Sequence, residues 1–122
     1  MSLEKAEEFL KVAQRCLEEG WYNSAVNRAY YAMFQAARAA LAAVGIHRPW
    51  WRHGSLQATF STELVQRRKL YPAAFVRNLA EAMELRHSAD YNDSHAPPRR
   101  ATRMVRNAEE FVSRVREASR NV

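Results

Sequence analysis

Three glycines and four prolines constrain this chain most, because all seven lie between apolar-periodic segments or at the opening of one. Gly20 follows the first segment and Gly45 the second. Pro49 and Gly54 fall in the next gap, Pro72 opens the fourth segment, and Pro97 and Pro98 open the fifth. Glycine just past a helix end takes up left-handed backbone at little cost. Proline at a helix start gives up no hydrogen bond, since that N–H has no partner within the helix. The punctuation therefore predicts five helices.

The side chains between these marks agree. Leu3, Ala6, Phe9, Leu10, Ala13 and Leu17 recur at three- and four-residue steps, giving a first helix over about 3–19. The second spans about 22–44, with Asn23 or Ser24 near its cap and a stripe of Ala25, Ala29, Tyr30, Met33, Phe34, Ala37, Leu41 and Val44. Alanines at 32, 36, 39, 40, 42 and 43 make it narrow on every side, so it is expected at the centre. Leu56, Phe60, Leu64 and Val65 carry a third helix over about 54–68. Phe75, Val76, Leu79, Met83 and Leu85 carry a fourth over about 72–88. Ala101, Met104, Val105, Ala108, Phe111, Val112, Val115 and Ala118 carry a fifth over about 98–119. No stretch alternates as a strand would. The expected fold class is all-α: an up-down helical bundle of four long helices plus one shorter one, with sequential helices adjacent and antiparallel. At 122 residues this is one domain, 1–122, large enough to bury a core without disulfides.

Composition narrows the function classes. A single cysteine, Cys16, excludes an internal disulfide and a multi-cysteine zinc site, and it reads as a small core residue. No apolar run approaches the roughly 20 residues that cross a bilayer, and the first residues lack the order of a signal peptide. The expectation is a cytoplasmic protein with no membrane role. The net charge is +6, carried by 16 Arg and only 3 Lys. A planar guanidinium suits phosphate and carboxylate better than an ammonium does, which points to an acidic partner such as a nucleotide, nucleic acid or acidic protein. The alternative is a solvated, arginine-rich helix face. The last helix places Arg99, Arg103 and Arg106 on one face, with Arg100 close by.

Three polar constellations stand out. Arg86-His87-Ser88-Ala89-Asp90-Tyr91-Asn92-Asp93-Ser94-His95 begins at the end of the fourth helix and is expected to run into a loop. Its groups could do acid–base work, bind phosphate, or simply cap the helix. In the second helix, Asn27-Arg28-Ala29-Tyr30-Tyr31-Ala32-Met33-Phe34 places an arginine and two tyrosines among alanines. A buried arginine needs a carboxylate or several acceptors, and Asp90 is the candidate partner, with Tyr31 able to reach the same group. Trp50 and Trp51, flanked by Arg48, Arg52 and His53, form an aromatic–basic loop that could stack on bases or hold a protein. One tryptophan is expected buried and its neighbour exposed. The four histidines have no metal-ligand spacing, and no phosphate-loop, dinucleotide or hydrolase motif is present. No metal or cofactor is expected.

The run Arg28-Ala29-Tyr30-Tyr31-Ala32-Met33-Phe34, followed by a Gly45-containing turn, a basic-histidine segment and Arg86…Ala89-Asp90-Tyr91, resembles the HEPN domain family over nearly the whole chain. The match is to its small stand-alone prokaryotic members. The resemblance implies a five-helix bundle that forms a homodimer. It also implies nucleotide or RNA binding, and partnership with a minimal nucleotidyltransferase protein in a toxin–antitoxin arrangement. Arg28, Tyr31, Arg86, Asp90 and Tyr91 are then the ligand-binding candidates. Many active HEPN proteins are metal-independent ribonucleases with an R-x(4–6)-H motif. Here Tyr91 stands where the histidine of R-x4-H would be, so the motif is not intact. The ribonuclease alternative rests on Arg86 with His87 or His95 as the catalytic pair. A non-catalytic adaptor, clamped by Arg28–Asp90 and docking a protein through Trp50–Trp51, is a further alternative.

Overall fold

The structure is a computed structural model that describes residues 2–91 and 95–120, with the side chains of residues 89–91 left out. Five helices account for most of these residues: α1 (Ser2–Glu18), α2 (Tyr22–Ala43), α3 (His53–Thr59), α4 (Ala73–Tyr91) and α5 (Pro98–Arg120). The helix begun by α3 continues without a break as a π-helical segment, Phe60–Arg67. The all-α up-down bundle of four long helices and one short one is the fold expected from the sequence.

The glycines act where the sequence placed them. Gly20 (φ 78°) and Gly45 (φ 86°) both lie in the left-handed region. After α1, the Gly20 amide donates to the Leu17 carbonyl and the Trp21 amide to the Cys16 carbonyl. After α2, Gly45 and Ile46 repeat the arrangement on Ala42 and Leu41. These are Schellman closures, and each satisfies carbonyls that the helix end would otherwise leave open. The third stop, Lys69 (φ 54°), carries a side chain. The amides just after it fold back on Leu64.

Helix α2 is the axis of the bundle and packs against α1, α4, α5 and both parts of the α3 rod. Its alanines explain this: Ala25, Ala29, Ala32, Ala36, Ala37 and Ala40 are all buried and let neighbouring helices approach closely. Cys16 is buried as a core residue. The π winding also has a counterpart in the sequence. Leu56, Phe60 and Leu64, all fully buried, are spaced four apart, and an α-helix turns about 400° over four residues. A four-residue repeat drifts by about 40° per step on an α-helix, a drift that i→i+5 winding reduces, although α2 keeps α winding over its own repeat of Ala25, Ala29, Met33, Ala37 and Leu41.

Two boundaries differ from expectation. Helix α4 runs to Tyr91, so Ala89 to Tyr91, expected in a loop, lie on helix with Arg86 to Ser88. Nothing in Ser88-Ala89-Asp90-Tyr91 breaks a helix, and the prolines come later. Helix α2 is not capped by Asn23 or Ser24: Trp21 is its N-cap residue, with no side-chain cap bond. Asn23 is used otherwise, accepting the Ala96 amide on Oδ1 at 2.7 Å and donating through Nδ2 to His95 Nδ1 at 3.1 Å. That pair of bonds fastens the entry of α5 to the start of α2. Among the described residues no helix is long and apolar enough to cross a membrane.

Candidate anion-binding site

Midway along α2, adjacent residues divide their labour. Tyr30 and Tyr31 are rotated by about 100° from each other on the helix. Tyr30 is fully buried and Tyr31 is half-buried. Their rings meet edge to face with centroids 5.3 Å apart. Phe34, one turn on, and Phe9 from α1 complete an aromatic wall around Tyr31, at 6.3 and 6.2 Å.

Two guanidinium groups lie against this wall. Arg86 of α4 stands 5.2 Å from the Tyr31 ring centre and 5.6 Å from that of Tyr30. Arg28, one turn before Tyr31 on α2, stands 5.9 Å from the Tyr31 ring and 5.3 Å from Phe9. A ring face attracts a cation through its quadrupole, worth about 0.5–2 kcal/mol depending on desolvation. The rings therefore hold both cations in place. Arg28 is half-buried rather than buried, and among the described residues the groups it faces are aromatic. The expected Arg28–Asp90 pair lies outside the described residues, as does the Tyr91 side chain. Arg86 and Asp90 do fall four residues apart on α4.

The third candidate is a histidine that no short motif marks. His53, the first residue of α3, packs on Phe34, Tyr30 and Tyr31 at 5.0, 5.3 and 6.2 Å. The Tyr30 hydroxyl hydrogen-bonds its Nδ1. Burial pushes the Tyr30 phenol well above its ordinary range, with Arg86 opposing. Burial, and secondarily the Arg86 charge, lowers the His53 pKa. Both shifts favour neutral partners; with the imidazole proton on Nε2 the phenol donates to Nδ1, and with it on Nδ1 the ring donates to the phenol oxygen. Gln57, one turn beyond His53, also hydrogen-bonds the phenol and donates to Met83 Sδ at 3.0 Å. The tie to Tyr30 fixes the imidazole ring in place.

The other histidines are elsewhere. His95 is bonded to Asn23, seven residues before Tyr30 and hence about 10 Å along α2 from the Arg86 contacts. His87 follows Arg86 on the same helix, about 100° round it, and is exposed. Of the sequence candidates, the structure brings together Arg28, Tyr31 and Arg86. It adds His53, Phe9 and Phe34, which sequence reasoning missed as site residues. His53 was visible only as a flank of the tryptophan loop, since its link to α2 is tertiary. The basic face expected on α5 is partly neutralised: Arg100 and Arg103 both pair with Glu81 of α4, which leaves Arg99 and Arg106 exposed. Among the described residues no group of three His, Cys, Asp or Glu side chains is gathered to hold a metal ion.

The aromatic–basic loop divides as expected. Trp51 is buried, at 9% exposure, with the Arg48 guanidinium 4.3 Å from its ring centre. Trp50 is 65% exposed, with Arg52 at 5.7 Å.

Residues 1–118 match the HEPN domain. The chain belongs to the HEPN domain family. Among curated relatives, it is 29% identical over 120 residues to the protein named "Putative toxin MJ0605" of Methanocaldococcus jannaschii, covering 98% of this chain and 87% of that one. It is 30% identical over 112 residues to the UPF0332 protein glr0978 of Gloeobacter violaceus, covering 90% and 86%. The two residue runs that carried the resemblance lie on α2 and α4 of the HEPN bundle, and they meet at Tyr31.

Proposed function

We propose that this HEPN protein binds the phosphate of RNA or a nucleotide at the Arg28–Tyr31–Arg86 cluster. One observation carries the reading: two guanidinium groups from different helices flank one half-exposed aromatic ring. Each guanidinium offers forked donors to a phosphate, and the ring offers a face to a base. The relative named as a toxin, together with the HEPN resemblance, supports a further reading. The protein works in the cytoplasm with a minimal nucleotidyltransferase partner, in a toxin–antitoxin module. A homodimer would bring two copies of the cluster to one cleft, and Asp90 and Tyr91, on the turn after Arg86, belong to the same candidate set. The test is a fluorescence-anisotropy titration of labelled single-stranded RNA at low and raised salt. Salt-sensitive binding that weakens at least tenfold in Arg86→Ala is expected; salt-insensitive binding, or none, contradicts the reading.

A second reading, a metal-independent ribonuclease, is favoured by the position of His53. Its proton-transfer histidine is then His53 rather than His87 or His95. For the base role His53 must carry its single proton on Nδ1, where that N–H donates to the Tyr30 oxygen, so that the Nε2 lone pair is free to accept a proton. RNA cleavage in EDTA, lost in His53→Ala and kept in His95→Ala, is the expected result. Absence of cleavage by the unmodified protein contradicts this reading and leaves the binding reading standing.

A further inference from the structure

We infer that the loop before α3 is a stacking platform for single-stranded RNA, with Trp50 as the base-contacting residue and Arg38, Arg48 and Arg52 as phosphate contacts. This rests on the proposed RNA-binding function and specifies the form of nucleic acid it takes.

The first observation is charge. Between Glu19 and Glu63 the chain holds no aspartate or glutamate, yet it holds Arg28, Arg38, Arg48 and Arg52. Among the described residues, none of Arg38, Arg48 and Arg52 takes part in an ion pair, whereas Arg67, Arg68, Arg100, Arg103 and Arg116 all do. The arginines of this segment contrast with Arg67 and Arg68, paired within their own segment, and with Arg100, Arg103 and Arg116, which link different helices. Arg38 and Arg48 line one small cleft together with His47 and Trp51.

The second observation is the division between the tryptophans. Trp51 is sunk into the core and anchors the loop, with Arg48 laid over it. Trp50, next to it, gives up most of the apolar burial available to so large a side chain, and Arg52 stands over its ring. Trp21 is exposed to a similar degree, 59%, but Trp50 differs from it in standing among Arg48 and Arg52. An indole face beside unpaired guanidinium groups suits a base followed by its phosphate.

The third observation is location. Trp50 lies three residues before His53, so the backbone between them spans at most about 11 Å. His53 touches Tyr30 and Tyr31, the rings that Arg86 faces. A strand whose phosphate sits at the Arg86 cluster can therefore reach Trp50 with a neighbouring base. A duplex keeps its bases stacked on one another and offers none to an indole, so the platform selects single strands. Tryptophan and arginine also anchor protein interfaces, and the poly-glutamate and duplex arms of the test separate an acidic protein from a single strand.

The test compares the full-length protein with its Trp50→Ala, Trp50→Phe and Arg86→Ala variants. The ligands are a ten-nucleotide single-stranded RNA, its duplex, inorganic polyphosphate and poly-glutamate. Thermal melts confirm that the variants fold. Trp50→Ala is expected to weaken single-stranded RNA about tenfold, the loss of one stacked base. Polyphosphate binding and the salt slope should be unchanged, and Trp50→Phe should recover part of the loss. Unchanged RNA affinity in Trp50→Ala, equal affinity for duplex and single strand, or competition by poly-glutamate as strong as by RNA overturns the inference. If Trp50→Ala behaves normally while Arg86→Ala is weak, the platform fails and the Arg86 site stands. If the reverse holds, the platform stands and the Arg86 site fails. If the unmodified protein binds no RNA, both fall.

Discussion

Phe60, Tyr71, Phe75 and Phe111 form one aromatic cluster in this bundle, and Phe9, Tyr30, Tyr31, Phe34 and His53 form another. In the first, Phe75 and Phe111 stack with centroids 4.7 Å apart, Phe60 and Tyr71 close the sides, and all four rings are buried. Its one cation, Arg114, sits at the rim, 5.8 Å from Phe75 and 5.9 Å from Tyr71, and points a nitrogen at the Leu70 carbonyl. In the second, Tyr30 is buried but Tyr31 and His53 are only half covered, and two arginines and an imidazole crowd the opening. The building material is the same. A sealed cluster stabilises the fold and leaves charge outside, whereas an unsealed one keeps charge against ring faces, where a ligand can meet both.

That contrast is open to direct attack. The largest effect belongs to the sealed cluster: Phe111→Ala should cost about 3–5 kcal/mol of stability, read from denaturant unfolding, because it opens a cavity that the surrounding rings cannot fill. A loss under about 1 kcal/mol would mean that the cluster is loosely packed. Next comes the buried hydroxyl of the open cluster. Tyr30→Phe keeps the ring and strands the His53 and Gln57 hydrogen bonds, with an expected loss of about 1–2 kcal/mol.

The same pair sets the pH response. The folded pKa of His53 is lowered below its ordinary 6.5. Its contribution is therefore fully present above about pH 6.5 and fades as pH falls through the lower folded value. Tyr30 is raised above 10, so its contribution is complete below about pH 10 and declines above that. Melting temperature against pH should sag at both ends, the acid sag shrinking in His53→Gln and the alkaline one in Tyr30→Phe. Profiles unchanged by these substitutions would contradict the assignment. The smallest effect separates the two cations by role: Arg114→Ala and Arg28→Ala should each change stability by less than about 1 kcal/mol, but only Arg28→Ala should weaken RNA binding.

The helices were legible because each is marked twice, once by its apolar spacing and once by a glycine or proline at its end. Gly20 and Gly45 are the clear cases, since a left-handed residue is something that sequence alone can request. The end of α4 was less legible because Arg86 to His95 is polar apart from Ala89, and polarity does not distinguish an exposed helical turn from a loop. Arg28, Tyr31 and Arg86 were legible as chemistry, since charged and phenolic groups among alanines need a reason. His53 was not, because its meaning depends on the loop after Gly45 returning it to Tyr30, and no local pattern encodes a contact across 23 residues. Asn23 misled for a related reason: a good cap residue one step inside the helix is free to serve another segment.

The central claim, that Arg28 and Arg86 together receive phosphate, is tested most directly by the salt dependence of single-stranded RNA binding. Each phosphate neutralised on a single strand contributes about −0.7 to the slope of log K against log salt. The account predicts that the Arg28→Ala/Arg86→Ala double variant, having lost one phosphate contact, binds with a slope shallower by about 0.7 than the unmodified protein. An unchanged slope in a folded double variant would contradict it.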